Sequence, residues 1–233
     1  MSASYLTALH QYLRRSRFAT ATDTYPPQPK RYPRMRQIAL GAPPNSAASF
    51  IEALRMRASA DAFKASPLPF GSLSLVFASL RMHRGSHRPY PSGGSLFPIE
   101  TYLCVENVES LDRGVYHYRP DTHALEFLWP SEPGVAYGAL IPNETLRDAG
   151  AFVVCTAHWE RSTPTYKDFA FELALIESGH LGQNILLAAA VSGIAARPLG
   201  GFVDEAMTAL LDIDDSYEQP VYVIALGTEA HTP

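Results

Sequence analysis

Residues 91–100 read Pro-Ser-Gly-Gly-Ser-Leu-Phe-Pro-Ile-Glu. The stretch opens as a loop and closes as a strand. Gly93 and Gly94 lack a Cβ, so the backbone there can take positive φ and come close to a ligand. Ser92 and Ser95 add small hydroxyls that donate or accept, and Pro91 and Pro98 stiffen both ends. Ile99, Glu100, Thr101, Tyr102, Leu103, Cys104 and Val105 follow, a run rich in strand formers. Backbone N–H groups in such a loop suit an anionic or carbonyl-rich ligand. A plain turn before a strand accounts for the same residues, and on this stretch alone it is the simpler reading.

The chain of 233 residues has room for one large domain or two small ones. A net charge of -4 gives nucleic acid little to bind through. Cys104 and Cys155 sit far apart in apolar, strand-like runs with no metal-ligand spacing. They read as buried thiols of a reducing compartment, with one disulfide as the alternative. Eight histidines are scattered without a His-Glu-x-x-His cluster, so no metal is expected. The chain start lacks a signal-peptide core and no apolar run reaches membrane-span length, which predicts a cytoplasmic location with no membrane partner.

Working back from the loop, residues 70–81 predict a helix through Leu73, Leu75, Val76, Phe77 and Leu80. Another opens at Ser46 or Ala47 and runs through Phe50, Ile51, Leu54 and Met56. At its end Arg57 offers a planar fork of donors and Ser59 a hydroxyl, a pair able to hold a phosphate. A solvated basic helix end is the alternative. Residues 24–45 carry Pro26, Pro27, Pro29, Pro33, Pro43 and Pro44, which rule out a helix and favour an extended path over a surface. Tyr25, Tyr32, Ile38 and Leu40 in that segment are available to pack. Residues 4–16 place Tyr5, Leu6, Leu9, Tyr12 and Leu13 at helical spacing, with Arg14, Arg15 and Arg17 where the helix dipole favours cations. The chain thus divides into an N-terminal helix and proline-rich arm over 1–45 and a main unit over 46–233.

Working forward, strand 99–106 is followed by a hairpin: Gly114–Tyr118, a turn at Pro120-Asp121, and His123–Leu128. His117 and His123 read as strand-face residues. Residues 144–149 predict a short helix and 151–158 a central strand. The longest helical signal spans 168–192, and its second half is apolar on almost every side, so it is buried centrally or against another subunit. Gly179, Gly182, Ala188 and Ala189 permit close packing there. Glu177, His180, Gln183 and Asn184 form a polar patch that needs partners, either a hydrogen-bond network or a ligand. A second Gly-Gly loop, Pro198-Leu199-Gly200-Gly201-Phe202, then a helix over 204–211 and a closing strand over 221–227 complete the chain.

Taken in order, Arg57-x-Ser59, the 91–100 loop, Glu177-Ser178-Gly179-His180-Leu181-Gly182-Gln183-Asn184 and Pro198–Phe202 resemble the FMN-dependent nitroreductase superfamily. Within it the chain looks most like the SagB-type dehydrogenases, relatives of the thiazole/oxazole oxidases that act on modified peptides. The loop is similar to that group's Pro-Ser-Ala-Gly-Ala-Leu-Tyr-Pro-x-Glu, and Gly114-Val115-Tyr116-His117-Tyr118 matches its hairpin. The resemblance spans roughly 45–228. It implies an α+β fold, an FMN-binding α-β-α sandwich with a mostly antiparallel central sheet. It also implies a homodimer with FMN at the subunit interface and hydride transfer to or from a small-molecule or peptide substrate.

Carried over by residue, Arg57 and Ser59 would take the FMN phosphate. Pro91, Ser92, Gly93 and Ser95 would line the ribityl chain and pyrimidine edge, with Gln183 contributing from the long helix. The Gly201 N–H, with Gly200 beside it, would address flavin N5. Gly93 and Gly201 are therefore expected at opposite edges of one ring. Ala58 and Asp61 stand where the family's phosphate motif usually has arginines, which would recruit Arg55, Arg88 or Arg197. The azoline oxidases carry a Lys-Tyr pair before the long helix; here the residues are Thr165-Tyr166-Lys167. Tyr166 matches and is a candidate acid/base, with Lys167 following rather than preceding it. A non-catalytic scaffold subunit of a peptide-modifying complex is the alternative that this departure raises.

Overall fold

The computed structural model describes residues 3–14, 29–44, 48–83, 87–132 and 136–230. Arg15, Arg17, Tyr25, Pro26, Pro27 and the predicted helix start at Ser46 or Ala47 lie outside them. Strands β1 (Arg36–Ala39), β2 (Phe63–Lys64), β3 (Ile99–Val105), β4 (Gly114–Arg119), β5 (Ala124–Pro130), β6 (Ala151–His158), β7 (Ala195–Leu199) and β8 (Glu218–Glu229) form one sheet. Their order is β1-β5-β4-β3-β6-β8-β2, with β7 beside β8. Every pairing of these strands is antiparallel. The helices are α1 (Ala3–Arg14), α2 (Phe50–Met56), α3 (Phe70–Ala78), α4 (Thr163–Tyr166), α5 (Phe169–Ser192) and α6 (Asp204–Leu211).

Strand alternation sorts the side chains onto two faces. Ile99, Leu103, Tyr116, Val153, Cys155 and Ile224 pack with Leu73, Val76 and Phe77 of α3 and with Ala174, Leu181 and Ile185 of α5. Tyr102, Cys104, Val115, Phe152, Val154 and Val223 pack on the other face with Met207 and Leu211 of α6. Both thiols are buried and free. They belong to opposite faces, which removes the disulfide alternative.

Helix α5 meets the sheet at Gly182, where a Cβ would lie 2.4 Å from the Tyr222 ring. Gly179, also expected to allow close packing, faces open space instead. The helix stops at Gly193, whose φ of +75° provides the left-handed cap. Its burial is one-sided: Ala174, Glu177, Leu181 and Ile185 are covered, while Phe171, Leu175 and Ile176 are exposed. Helix α2 packs on α5 and likewise exposes Phe50, Ile51 and Leu54.

Several boundaries differ from the sequence reading. Ser49 and Glu52 form a reciprocal capping box, so α2 begins only at Phe50, and Arg57 is already extended with φ −62° and ψ 112°. Residues 144–149 hold a single 3-10 turn, Glu144–Leu146, rather than a helix. The stretch after Gly193 enters the sheet as β7 before its Gly-Gly loop. Ala195, Ala196 and Pro198 have little strand preference of their own; pairing with β8 imposes the conformation, and Pro198 is tolerated because, among the described residues, β7 has no second strand on its other side. The proline-rich arm contributes β1, and Leu40 next to it is buried in the α5-side core.

Gly182→Ala should lower stability by about 1–3 kcal/mol, because the Tyr222 ring has to move off β8. Gly71→Ala, in open space at the start of α3, should be neutral within about 0.5 kcal/mol. Urea denaturation of the two variants checks the contrast.

Candidate functional site

The loop between Pro91 and Pro98 is strained. Gly94, Ser95 and Phe97 have φ of 61°, 56° and 47°. For Ser95 and Phe97 that conformation costs about 1–2 kcal/mol each, so the surroundings must hold it. The Phe97 N–H donates to Ser92 Oγ at 2.9 Å, and Arg161 Nη1 donates to the Phe97 carbonyl at 3.1 Å. The His158 N–H donates to the Pro98 carbonyl at 2.9 Å. A Cβ on Gly93 would meet Leu173 of α5 at 3.0 Å, and one on Gly94 would meet the Tyr166 hydroxyl at 2.8 Å. The plain-turn reading therefore gives way to a built loop clamped between α4, α5 and the sheet. Its outer side lines a cavity of about 680 Å³ with Arg88, Tyr90, Pro91, Ser92, Ser95 and Phe97.

Glu177 reaches this loop from α5 and is only 2% exposed. Its Oε1 is buried without a hydrogen-bond partner among the described residues. Burial pushes the carboxyl up to about 7, against the pull of the Ser92 hydroxyl, the Arg88 guanidinium and the Ile99 N–H. Of the polar patch read on this helix, Asn184 donates to the Pro89 carbonyl at 3.0 Å, whereas His180 and Gln183 are exposed.

Beneath the loop, on the α6-side face of the sheet, lies a buried charge network that the sequence reading missed. His117 Nε2 is 2.9 Å from Glu100 Oε2, and His117 Nδ1 is 2.9 Å from Glu126 Oε2. A neutral imidazole would turn a lone pair toward one of these carboxylates, so both nitrogens must carry protons. Burial opposes the imidazolium, and the bonds from Glu100 and Glu126 more than offset it, raising its pKa. Burial likewise opposes the Glu100 carboxylate, yet Arg161 and His117 hold its pKa well below the usual range. Arg161 bonds Glu100 Oε1 as well as the Phe97 carbonyl. Lys30 and Tyr32 of the arm donate their backbone N–H groups to Glu100 Oε1 and Glu126 Oε2, each at 3.0 Å. Lys30 Nζ lies 2.5 Å from Glu218 Oε2 and 2.6 Å from the Tyr102 hydroxyl. The available signal was a glutamate in a strand otherwise reading as apolar; nothing local marked Arg161 or Lys30.

The other residues singled out from sequence lie apart from the loop. Arg57 follows α2, half-buried, and its guanidinium bonds only Ser59 Oγ, at 3.5 Å, among the described residues. The next residues are tied to β7: the Ala60 N–H donates to the Ala196 carbonyl at 3.0 Å, and Arg197 Nη1 donates to the Ala60 carbonyl at 3.0 Å. Arg197 is thereby occupied. Gly200 and Gly201 continue from β7 and line neither the 680 Å³ cavity nor the 310 Å³ cavity beside Ala58, Ala60 and Ala196. Neither glycine has positive φ, and a Cβ on either would meet nothing within 4 Å. Lys167 is exposed beside Trp159 and Phe171, with an unusual φ of 52° and ψ of −135°.

Residues 54–228 match the model of the nitroreductase family. The chain belongs to the nitroreductase family. It is 29% identical over 180 residues to the nitroreductase-named protein MJ1384 of Methanocaldococcus jannaschii, covering 76% of this chain and 89% of that one. It is 33% identical over 147 residues to the microcin B17-processing protein McbC of Escherichia coli, covering 60% of this chain and 54% of McbC. The nitroreductase-family chain therefore spans about half the length of McbC. Among solved structures it superposes on a chain of the E. coli microcin synthetase McbBCD complex with truncated pro-MccB17 bound, with a TM-score of 0.68, 24% identity and coverage of 99% of this chain and 95% of that chain. A structure described as an oxidoreductase containing FMN gives a TM-score of 0.53 at 16% identity over 80% of both chains. These likenesses establish the α+β nitroreductase fold. Among the described residues, no helix is long and apolar enough to cross a membrane.

Glu177 binds its proton more tightly in the folded chain, so its contribution to stability declines as pH rises from about 4.5 to about 7. Measured against Glu177→Gln, the wild type should lose about 3 kcal/mol across that window. The His117 contribution should be complete below its ordinary value and lost as pH rises through its raised one. Denaturant titrations at stepped pH check both.

Proposed function

We propose that this nitroreductase-family chain is an FMN-dependent oxidoreductase of the SagB-type branch that works as a homodimer with a flavin at each subunit interface. The observation that carries the reading is the division of the candidate residues. Pro91, Ser92, Ser95 and Phe97 of the strained loop line the 680 Å³ cavity, Ala58 and Ala60 beside Arg57 and Ser59 line the 310 Å³ one, and Gly200 and Gly201 line neither. Two chains could bring the loop of one against the glycines of the other. The exposed apolar residues Phe50, Ile51 and Leu54 of α2 and Phe171, Leu175 and Ile176 of α5 support such pairing.

The residues present fit FMN. Arg57 and Ser59 offer a guanidinium and a hydroxyl with no other partner among the described residues, which suits a phosphate. Nothing within the protomer demands glycine at 200 or 201, whereas a flat ring laid on the backbone would. When bound, FMN supplies the hydride-accepting and hydride-donating chemistry. The chain would supply position: Arg57 and Ser59 hold the phosphate, Ser92 and Ser95 offer hydroxyls along the loop, and the Gly201 N–H is the donor for N5. Tyr166, with its hydroxyl against Gly94, is the candidate acid/base beside that loop.

Purified protein should be yellow, release FMN on denaturation and scatter light as a dimer. Colourless protein that cannot be reconstituted, or a monodisperse monomer, would sink the corresponding part of the reading. Arg57→Ala should weaken FMN binding roughly ten- to hundredfold in a flavin-fluorescence titration, the range of a charge-assisted hydrogen bond.

A second reading is a scaffold subunit of a peptide-modifying complex. Thr165, standing where the azoline oxidases carry lysine, and the likeness to McbC favour it. Photoreduced holoprotein mixed with oxygen, nitroaromatics and quinones separates the two. Reoxidation no faster than that of free flavin with every acceptor would favour the scaffold.

A further inference from the structure

The buried network joins two parts of the chain that have no sequence relation. On one side is the extended segment around Lys30. On the other is Phe97, whose left-handed backbone turns its ring into the wall of the 680 Å³ cavity. Between them stands Glu100. Its Oε1 accepts from both the Lys30 N–H and Arg161, and Arg161 also holds the Phe97 carbonyl. The Lys30 side chain is what keeps its own backbone there. Its Nζ is gripped by Glu218 Oε2 at 2.5 Å and the Tyr102 hydroxyl at 2.6 Å, and Glu218 is held in turn by Thr156 Oγ1 at 2.6 Å.

We infer that Lys30 is a positioning residue for the 91–97 loop, acting from the opposite face of the sheet through Glu100 and Arg161 on the strained Phe97. Without the ammonium, Glu218 keeps a buried negative charge with no cation against it, and the segment loses its anchor. Glu100 Oε1 then loses one of its two donors, and the guanidinium that fixes Phe97 is held by a looser carboxylate. The strain at Ser95 and Phe97 gives the loop a ready direction in which to relax. The link to flavin affinity rests on the FMN reading; the link to loop order does not.

Lys30→Cys tests it, because the introduced thiol can be aminoethylated with 2-bromoethylamine to restore an ammonium at almost the same reach. Cys104 and Cys155 are fully buried, with their thiol pKa values raised by burial, and do not compete. In flavin-free protein, amide exchange across 91–100 should quicken roughly five- to thirtyfold while exchange in α3 is unchanged, and aminoethylation should reverse it. FMN affinity should fall and recover by a similar factor. Unchanged exchange at 91–100, acceleration spread evenly through α3, or failure of aminoethylation to restore order would overturn the inference. If the wild type binds no FMN, the oxidoreductase reading fails while the exchange result still decides the role of Lys30. Should Lys30→Cys not fold, Tyr102→Phe, which removes one Nζ partner, must loosen 91–100 in the same assay, and no change there would equally overturn it.

Discussion

Three glutamates, Glu100, Glu126 and Glu218, are buried on one face of the central sheet, and the structure depends on their being paired. Leaving one such charge without its partner costs about 3–5 kcal/mol, a large share of the stability of a domain this size. The chain answers with cations from distant places: His117 from β4, Arg161 from the turn before α4, Arg119 from the end of β4 and Lys30 from the arm. This is why the stretch around Lys30 and Tyr32, itself neither helix nor strand, lies against the sheet. Its backbone N–H groups at 30 and 32 add donors to Glu100 Oε1 and Glu126 Oε2.

The same pairing connects fold to site. Glu100 is the last residue of the Gly-Gly loop motif and the second of β3, so the group that fixes the loop also belongs to the sheet. The loop is held from beneath by Arg161 and from the side by Leu173 and Tyr166. Glu177 adds a third support of a different kind, an incompletely bonded buried carboxyl whose proton affinity is raised by its apolar surroundings. Two carboxylates beside one loop in space thus respond to pH in opposite senses. Glu100 is stabilised as an anion by its cations, and Glu177 is stabilised as an acid by burial.

Helix α5 separates these functions. Its inner side carries small and branched residues and touches the sheet so closely at Gly182 that a methyl group does not fit. Its outer side exposes Phe171, Leu175 and Ile176. The protomer therefore leaves apolar area uncovered where α2 packs on α5.

Local pattern alone determined a good deal of this protein. Strand-forming residues located β3, an apolar run β6 and alternation β4 and β5; the long helical run located α5, acids in a first turn located α6, and the ordered loop motifs pointed to the family that residues 54–228 match. These features are readable because each side chain's role follows from its near neighbours. The tertiary structure alone decided the rest. It turned Ala195–Leu199 into a strand because β8 offered it hydrogen bonds, and shortened α2 because Ser49 and Glu52 capped it. It also charged His117 by bringing carboxylates from two other strands to its two nitrogens. Those outcomes depend on groups that are distant in sequence and adjacent only in space, and the free energy of burying a charge has no counterpart in a linear pattern.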